Sequence, residues 1–266
     1  MRAAYHHERP PGEETRRFLE LLRALVVREI KGRYRRSLLG PLWAIILPVA
    51  YMVLFVALRR MLGLAEGPMG DAIVIYCALV PWTFFSTAVS RCATSVYANG
   101  PLVKKMSVPR EVFPAAAVAA AGVDFVLAGL VLVGMLAWTG TGVSISLVWL
   151  AVLVPLTALL GLGVGLGAAA LGTFRQDIAF AMPFVMQFWL FATPILYALS
   201  DVPEAWRGLY VLNPSVGLIE GYRAVLLYHQ APDAALLART GVGTVLAWAV
   251  AWPLFRHLGQ YFADEL

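Results

Sequence analysis

From Leu38 to Leu58 the chain carries no charged side chain. A helix crosses the hydrocarbon core of a bilayer in about 20 apolar residues, so this single run already decides the solvent. Similar runs follow at Ala72–Ser90, Pro114–Trp138 (with Asp124 inside it), Val143–Phe174 and Ile178–Leu199. A sixth, Leu236–Phe255, has Arg239 near its start. Lipid offers backbone groups no partner, so runs of this length are helices. Composition agrees: 60% of the 266 residues are hydrophobic and 14% charged, too little charge to cover a soluble domain. The expectation is an all-α integral membrane protein with six transmembrane helices.

Val202–Tyr228 is apolar but interrupted by Pro203, Asn213-Pro214, Glu220 and Arg223. It reads as a re-entrant pair of short helices between spans five and six, since irregular backbone at membrane depth needs protein or a wet cavity around it. Counting Lys and Arg places fifteen on the side of the N-terminus and five on the other, which puts both termini in the cytoplasm. The net charge of +5 then points to phospholipid headgroups and not to nucleic acid. The N-terminal stretch is polar, so no cleavable signal peptide is expected. Two units follow: residues 1–36, a cytoplasmic N-terminal segment, and 37–266, a six-span permease domain.

Within the first unit, Phe18, Leu22, Leu25 or Val26, and Ile30 recur at helical spacing among basic residues. Thr15–Tyr34 is therefore an amphipathic helix suited to lying on the inner leaflet. Gly40-Pro41 marks the corner where the chain turns into the membrane, because proline is tolerated in a helix's first turn.

Signs of catalysis are sparse. The four histidines (His6, His7, His229, His257) lie outside the apolar spans, and no metal-protease, nucleophile-elbow or phosphate-loop pattern occurs. No cofactor is expected in this chain. Cys77 and Cys92 have no metal or redox spacing and read as buried thiols. Asp124 admits two readings: a proton or substrate site, or a carboxylate locking helices, with Arg91 as its partner. The locking reading is preferred, since a relay needs further ionisable groups. "GLGVGLGAAALG", residues 161–172, holds GxxxG twice and reads as close helix packing, within the subunit or across a dimer. Tyr51 and Phe55 in the first span, and Phe184, Gln187, Phe188 and Phe191 in the fifth, lie at helical spacing. They are ordinary packing or, with Trp43, a sugar path, because pyranose C–H faces pack on aromatic rings. "ANGPLVKKMSVPREVFP", residues 98–114, is either a set of basic anchors or a rigid knob for a partner's cleft.

Several stretches, in order, carry a resemblance. "LVVREIKGRYRRSLLGPLWAIILPVAYMVLFV" resembles the approach to the first span in ATP-binding-cassette permeases that export polysaccharides, with "R-x-h-K-x-R-Y" followed by "S-x-L-G-x-L-W". "NGPLVKKMSVPREVFPAAAV" is similar to that family's connection between spans two and three. "FRQDIAFAMPFVMQFWLFATPILY", then "VPEAWRGLYVLNPSVGLIEGYRAVLL", and the closing "FADEL" resemble its fifth span, re-entrant segment and C-terminus.

The resemblance implies a bacterial cytoplasmic-membrane exporter of O-antigen, capsule or wall teichoic acid type. Two such permeases would join two ATPase subunits, which hold ATP and magnesium, around a lipid-pyrophosphate-linked polysaccharide. It implies a coupling helix over residues 99–110, with Asn99, Leu102, Lys104, Lys105, Pro109, Arg110 and Glu111 in the ATPase cleft. It implies an exit shaped by the segment holding Asn213, Glu220 and Arg223. The basic cluster Lys31, Arg33, Arg35 and Arg36 anchors the chain at headgroups or meets the pyrophosphate, since Arg forks match phosphate oxygens. Rival readings are a secondary transporter or channel, which needs several ionisable residues at midplane, and a membrane enzyme acting on lipid-linked sugars, which needs converging carboxylates or histidines.

Overall fold

The computed structural model describes residues 11–35, 37–63, 68–105, 108–197 and 199–265. Those residues form helices and no strand. Helix α1 spans Pro11–Tyr34 and α2 Trp43–Met61, with a 3-10 turn at Gly40–Leu42 between them. Gly40 has φ of 49°, a left-handed conformation that favours glycine, and its N–H donates to Ser37 Oγ at 3.0 Å. A left-handed glycine and a 3-10 turn thus separate α1 from α2 where the sequence places a corner.

Helix α3 (Pro68–Ser95) is followed by the six-residue α4 (Gly100–Lys105), and α5 runs Val112–Trp138. Next come α6 (Leu150–Phe174), α7 (Gln176–Phe191), the short α8 (Glu204–Tyr210) and α9 (Pro214–Leu226), then α10 (Ala234–Gly259) and α11 (Phe262–Glu265).

Five helical segments among the described residues are long and apolar enough to cross a membrane: Gly40–Met61, Gly70–Ser95, Val112–Trp138, Ile145–Phe174 and Ala234–Gly259. The sequence promised six. Its fifth span, Ile178–Leu199, appears as the 16-residue α7, about 24 Å long, and then as irregular backbone. The cause is local. Pro194 lacks the N–H that would continue the ladder, and Asn213 takes up a carbonyl at the helix end, its Nδ2 donating to Ala192 O and also to the Thr193 hydroxyl, both at 3.1 Å.

Helix α3 is the centre of the bundle. It packs on α2, α5, α6, α7 and α9, and 72% of its spanning window is buried, against 11% for α2. The glycine run explains the closeness of α6. Gly161, Gly165 and Gly172 face Ala88, Cys92 and Ala93 of α3, while Gly163 and Gly167 face Trp248 and Ala251 of α10. The two overlapping registers therefore point to opposite sides, and both are used inside this subunit.

The two ends differ. At one, Leu25 of α1, Val103 of α4, Phe113 of α5, Phe255 of α10 and Phe262 of α11 form a single apolar cluster. Helix α1 thus rests its apolar side, Phe18 and Leu22 included, on the bundle. At the other end, Arg59 pairs with buried Asp71 at 3.1 Å and donates to Leu196 O at 2.9 Å. That joins the end of α2, the start of α3 and the irregular stretch after α7.

Candidate functional site

From Ile75 to Ser95, six positions of α3 escape full burial: Thr83, Ser86, Thr87, Ser90, Arg91 and Thr94. All six are polar. Their spacing of three and four residues puts them on one face, a hydroxyl seam on the most enclosed helix of the bundle. Two adjoining cavities, each of about 350 Å³, open along it. One lies towards α7 and includes Pro183, Met186 and Gln187; the other lies under the start of α2 and includes Trp43, Leu47 and Asp124. Tyr51 borders both, and its hydroxyl donates across the groove to Gln187 Oε1 at 3.4 Å.

Of the residues read as a sugar path, Trp43, Tyr51 and Gln187 therefore meet at this groove. Phe55 does not: it is enclosed in the core against Tyr51, ring centres 5.8 Å apart. Phe184, Phe188 and Phe191 project outward from α7, with Phe180, as exposed aromatics. The seam itself was not anticipated. Its signal is present in the sequence as polar residues at helical spacing inside the apolar run TFFSTAVSRCAT.

The ionic end of the groove also differs from expectation. Asp124 is locked between helices, but its partners are Arg33 and Tyr34 of α1, not Arg91. The Tyr34 hydroxyl donates to Asp124 Oδ1 at 2.6 Å. Burial first, and then this bond, hold its pKa above the ordinary phenol value, so Tyr34 stays a donor at neutral pH. Arg91 pairs with Glu29 of α1 at 3.1 Å. Lys31 and Arg35 are exposed; Arg36 lies outside the described residues.

At the end holding α1, the connection between α3 and α5 is short and firmly seated. Asn99 Nδ2 donates to Ser95 O at 2.7 Å, and Leu102 packs partly buried on the apolar cluster. Lys104, Lys105 and Pro109 are exposed. Arg110 lies over the Phe262 ring at 5.9 Å. With Glu111 and Arg256 it borders a cleft of about 370 Å³.

At the opposite end, the three polar residues of the interrupted segment are fasteners. Asn213 caps α9 by accepting from Ser215 N at 3.0 Å, and also accepts from Trp189 Nε1 at 2.9 Å. Arg223 is buried in α9 and donates to Ile195 O at 2.9 Å, Tyr197 O at 3.4 Å and Glu220 Oε1 at 2.8 Å. Together they tie the frayed end of α7 to α9.

Known proteins share this layout of sequence along nearly the whole chain. A protein of Myxococcus xanthus named O-antigen export system permease protein RfbA is 33% identical over 253 residues, 92% of this chain and 95% of that one. The Klebsiella pneumoniae protein of the same name is 26% identical over 248 residues, 93% of this chain and 95% of its own. The polysialic acid transport protein KpsM of Escherichia coli is 23% identical over 236 residues, covering 88% and 91%. The sequence pattern of the ABC-2 type transporter matches residues 20–227, from the middle of α1 to the end of α9. An integral membrane chain built on that pattern, with its polar groove between apolar spans, belongs to the ABC-2 type transporter family.

Proposed function

We propose that this chain is the transmembrane subunit of an ATP-driven exporter that moves a lipid-linked, O-antigen-like polysaccharide across the bacterial cytoplasmic membrane. The observation that carries the reading is the polar seam of α3, facing a groove between otherwise apolar spans. Sugar hydroxyls need hydrogen-bonding partners once out of water, and the seam supplies them. The relatives named for O-antigen export support the cargo. The relative named for polysialic acid transport makes a capsule-type glycan the second choice.

Two copies of the chain enclose the conduit, with Phe184, Phe188 and Phe191 turned towards it. Residues 1–36 lie on the cytoplasmic side, α1 along the leaflet, and residues 37–266 form the permease proper. Helix α7 with the irregular stretch after it makes the sixth crossing, and α8 and α9 dip in from the outer face. The connection at 99–110, with Lys104 and Lys105 exposed, docks into a separate ATPase, two copies of which supply the energy. Closure of those ATPases on ATP rocks the two permease copies through this contact.

The test is co-purification with an ATP-binding-cassette ATPase from the same cell, followed by ATP turnover in reconstituted vesicles. Lipid-linked glycan changes the turnover. Lys104→Glu with Lys105→Glu abolishes the change while leaving the chain's own melting within about 0.5 kcal/mol, as expected of exposed positions. Uphill solute movement by this chain alone on an ion gradient would sink the reading.

The seam gives a second expected result. Thr87→Val with Ser90→Ala removes two hydroxyls that touch the groove. Each lost hydrogen bond is worth roughly 0.5–1.5 kcal/mol, so export slows about tenfold or more. Unchanged export in vesicle assays would remove the seam from the path.

A further inference from the structure

Four charges meet where α1 crosses the second cavity. Glu29 and Arg33 stand one turn apart on α1, Arg91 is on α3 and Asp124 on α5. They pair crosswise, Glu29 with Arg91 and Arg33 with Asp124, so both pairs pin α1 to the bundle. The same charges have a second neutral arrangement. Glu29 and Arg33 are four residues apart in the favourable order for a pair within one helix. Arg91 and Asp124 border the same cavity, close enough for Asp124 to act electrostatically on Arg91. In that arrangement each pair lies within α1 or within the bundle. Helix α1 is then released, and no buried charge is left bare.

Arg33 is also incompletely used. Its side chain is 13% exposed, and its Nε and Nη2 are buried with no partner among the described residues. These two N–H groups form the edge of the guanidinium that grips phosphate oxygens in pairs. Arg33 borders a cavity of about 350 Å³ that Trp43, Tyr51 and Ser86 also border.

We propose that Asp124 is the resident anion of a phosphate-binding site, holding Arg33 until a phosphate or diphosphate headgroup takes its place. The arriving anion repels Asp124 onto Arg91. Glu29, whose side chain is 39% exposed, turns to water or to Arg33 on its own helix. Occupation of the site and release of α1 are then one event. The inference deepens the exporter reading, because it seats the anionic group of the carried lipid. It is read without ATP or transport, so either can fail while the other stands.

The full chain in phosphatidylcholine nanodiscs is titrated with inorganic pyrophosphate and with geranylgeranyl diphosphate. Spin labels on exposed positions of α1 and α5 report their separation. Asp124→Asn, which removes the competing charge, tightens binding about tenfold, the change expected from one charge-assisted hydrogen bond; Arg33→Gln loses binding. A purely structural Asp124 gives no tightening, and that result overturns the proposal. Response to geranylgeranyl diphosphate alone assigns the site to a lipid headgroup; equal response to both probes assigns it to phosphate chemistry from either source.

The exchange of Arg33→Asp with Asp124→Arg supplies a variant that keeps both crosswise pairs. Its alternative arrangement sets Glu29 beside the carboxylate introduced at position 33, and Arg91 beside the guanidinium introduced at position 124, like against like. This protein folds and stays shut: geranylgeranyl diphosphate separates the labels in the native chain and not in the exchanged one. Identical label distances in the two proteins overturn the proposal, including where Asp124→Asn alone does not fold.

Discussion

Arg223→Met loses the fastening of α7 to α9 and lowers stability by about 3–5 kcal/mol, the cost of breaking a buried ion pair from one side. Methionine matches the length of arginine but donates nothing. Ile195 O and Tyr197 O lose their donor, and Glu220, with 24% of its side chain exposed, is left a carboxylate without its cation. At roughly 2–4 °C per kcal/mol for a chain of this size, the melting temperature of the purified protein falls by about 6–20 °C. Adding Glu220→Leu removes the stranded carboxylate, so the double variant is more stable than Arg223→Met alone. That reversal separates an electrostatic fastener from simple packing, in which two losses add. Asn213→Ala, which gives up a helix cap and three further hydrogen bonds, destabilises the same junction, and its cost overlaps with that of Arg223→Met.

The sequence marked these residues by rule and left their work hidden. Asn213, Glu220 and Arg223 stood out because polar groups inside apolar runs are costly, but which carbonyls they hold depends on where α7 stops. That stop was misjudged. The apolar run to Leu199 reads as a continuous span, whereas Pro194 and the capture of Ala192 O end the helix near Phe191. The five longer spans were legible because their length alone decides them. Arg91 was the nearest cation that sequence could offer Asp124, yet the partner came from α1, which lies across the bundle for reasons of apolar packing at Leu25 and Phe18. The seam of α3 was readable in principle. Thr83, Ser86, Thr87, Ser90 and Thr94 are at helical spacing, but threonine and serine satisfy themselves on their own helix: Thr83 and Thr94 both donate to a carbonyl three residues back. Only the burial of every other position around them turns a tolerated feature into a directed one.

Gly172→Ala and Gly167→Ala add the same methyl group to the same glycine-rich stretch, and their effects differ widely. A Cβ at Gly172 meets Ala93 O at 2.5 Å and the Ala179 methyl at 3.2 Å. Backbone oxygen cannot step aside, so α6 must move off α3, the helix on which the bundle is centred; overpacking of this kind costs about 1–3 kcal/mol or more. At Gly167 the new methyl meets only Ala251 Cβ at 3.6 Å, ordinary contact, and alanine is the better helix former by about 1 kcal/mol in water. That substitution is neutral or mildly stabilising. Gly163 and Gly165 fall between. Gly165 opposes the Cys92 side chain at 2.7 Å; Gly163 opposes Trp248 at 2.7 Å, and that ring is held by its bond to Leu159 O. Melting curves of the four alanine variants should fall in that order. A motif serving a contact between two copies would instead show its largest effect on assembly, with the melting of the single chain unchanged. Because both registers of the motif are spent on α3 and α10, the proposed pairing of two copies draws on other surfaces, and α2, α5, α7 and α10 all expose apolar positions that can supply them.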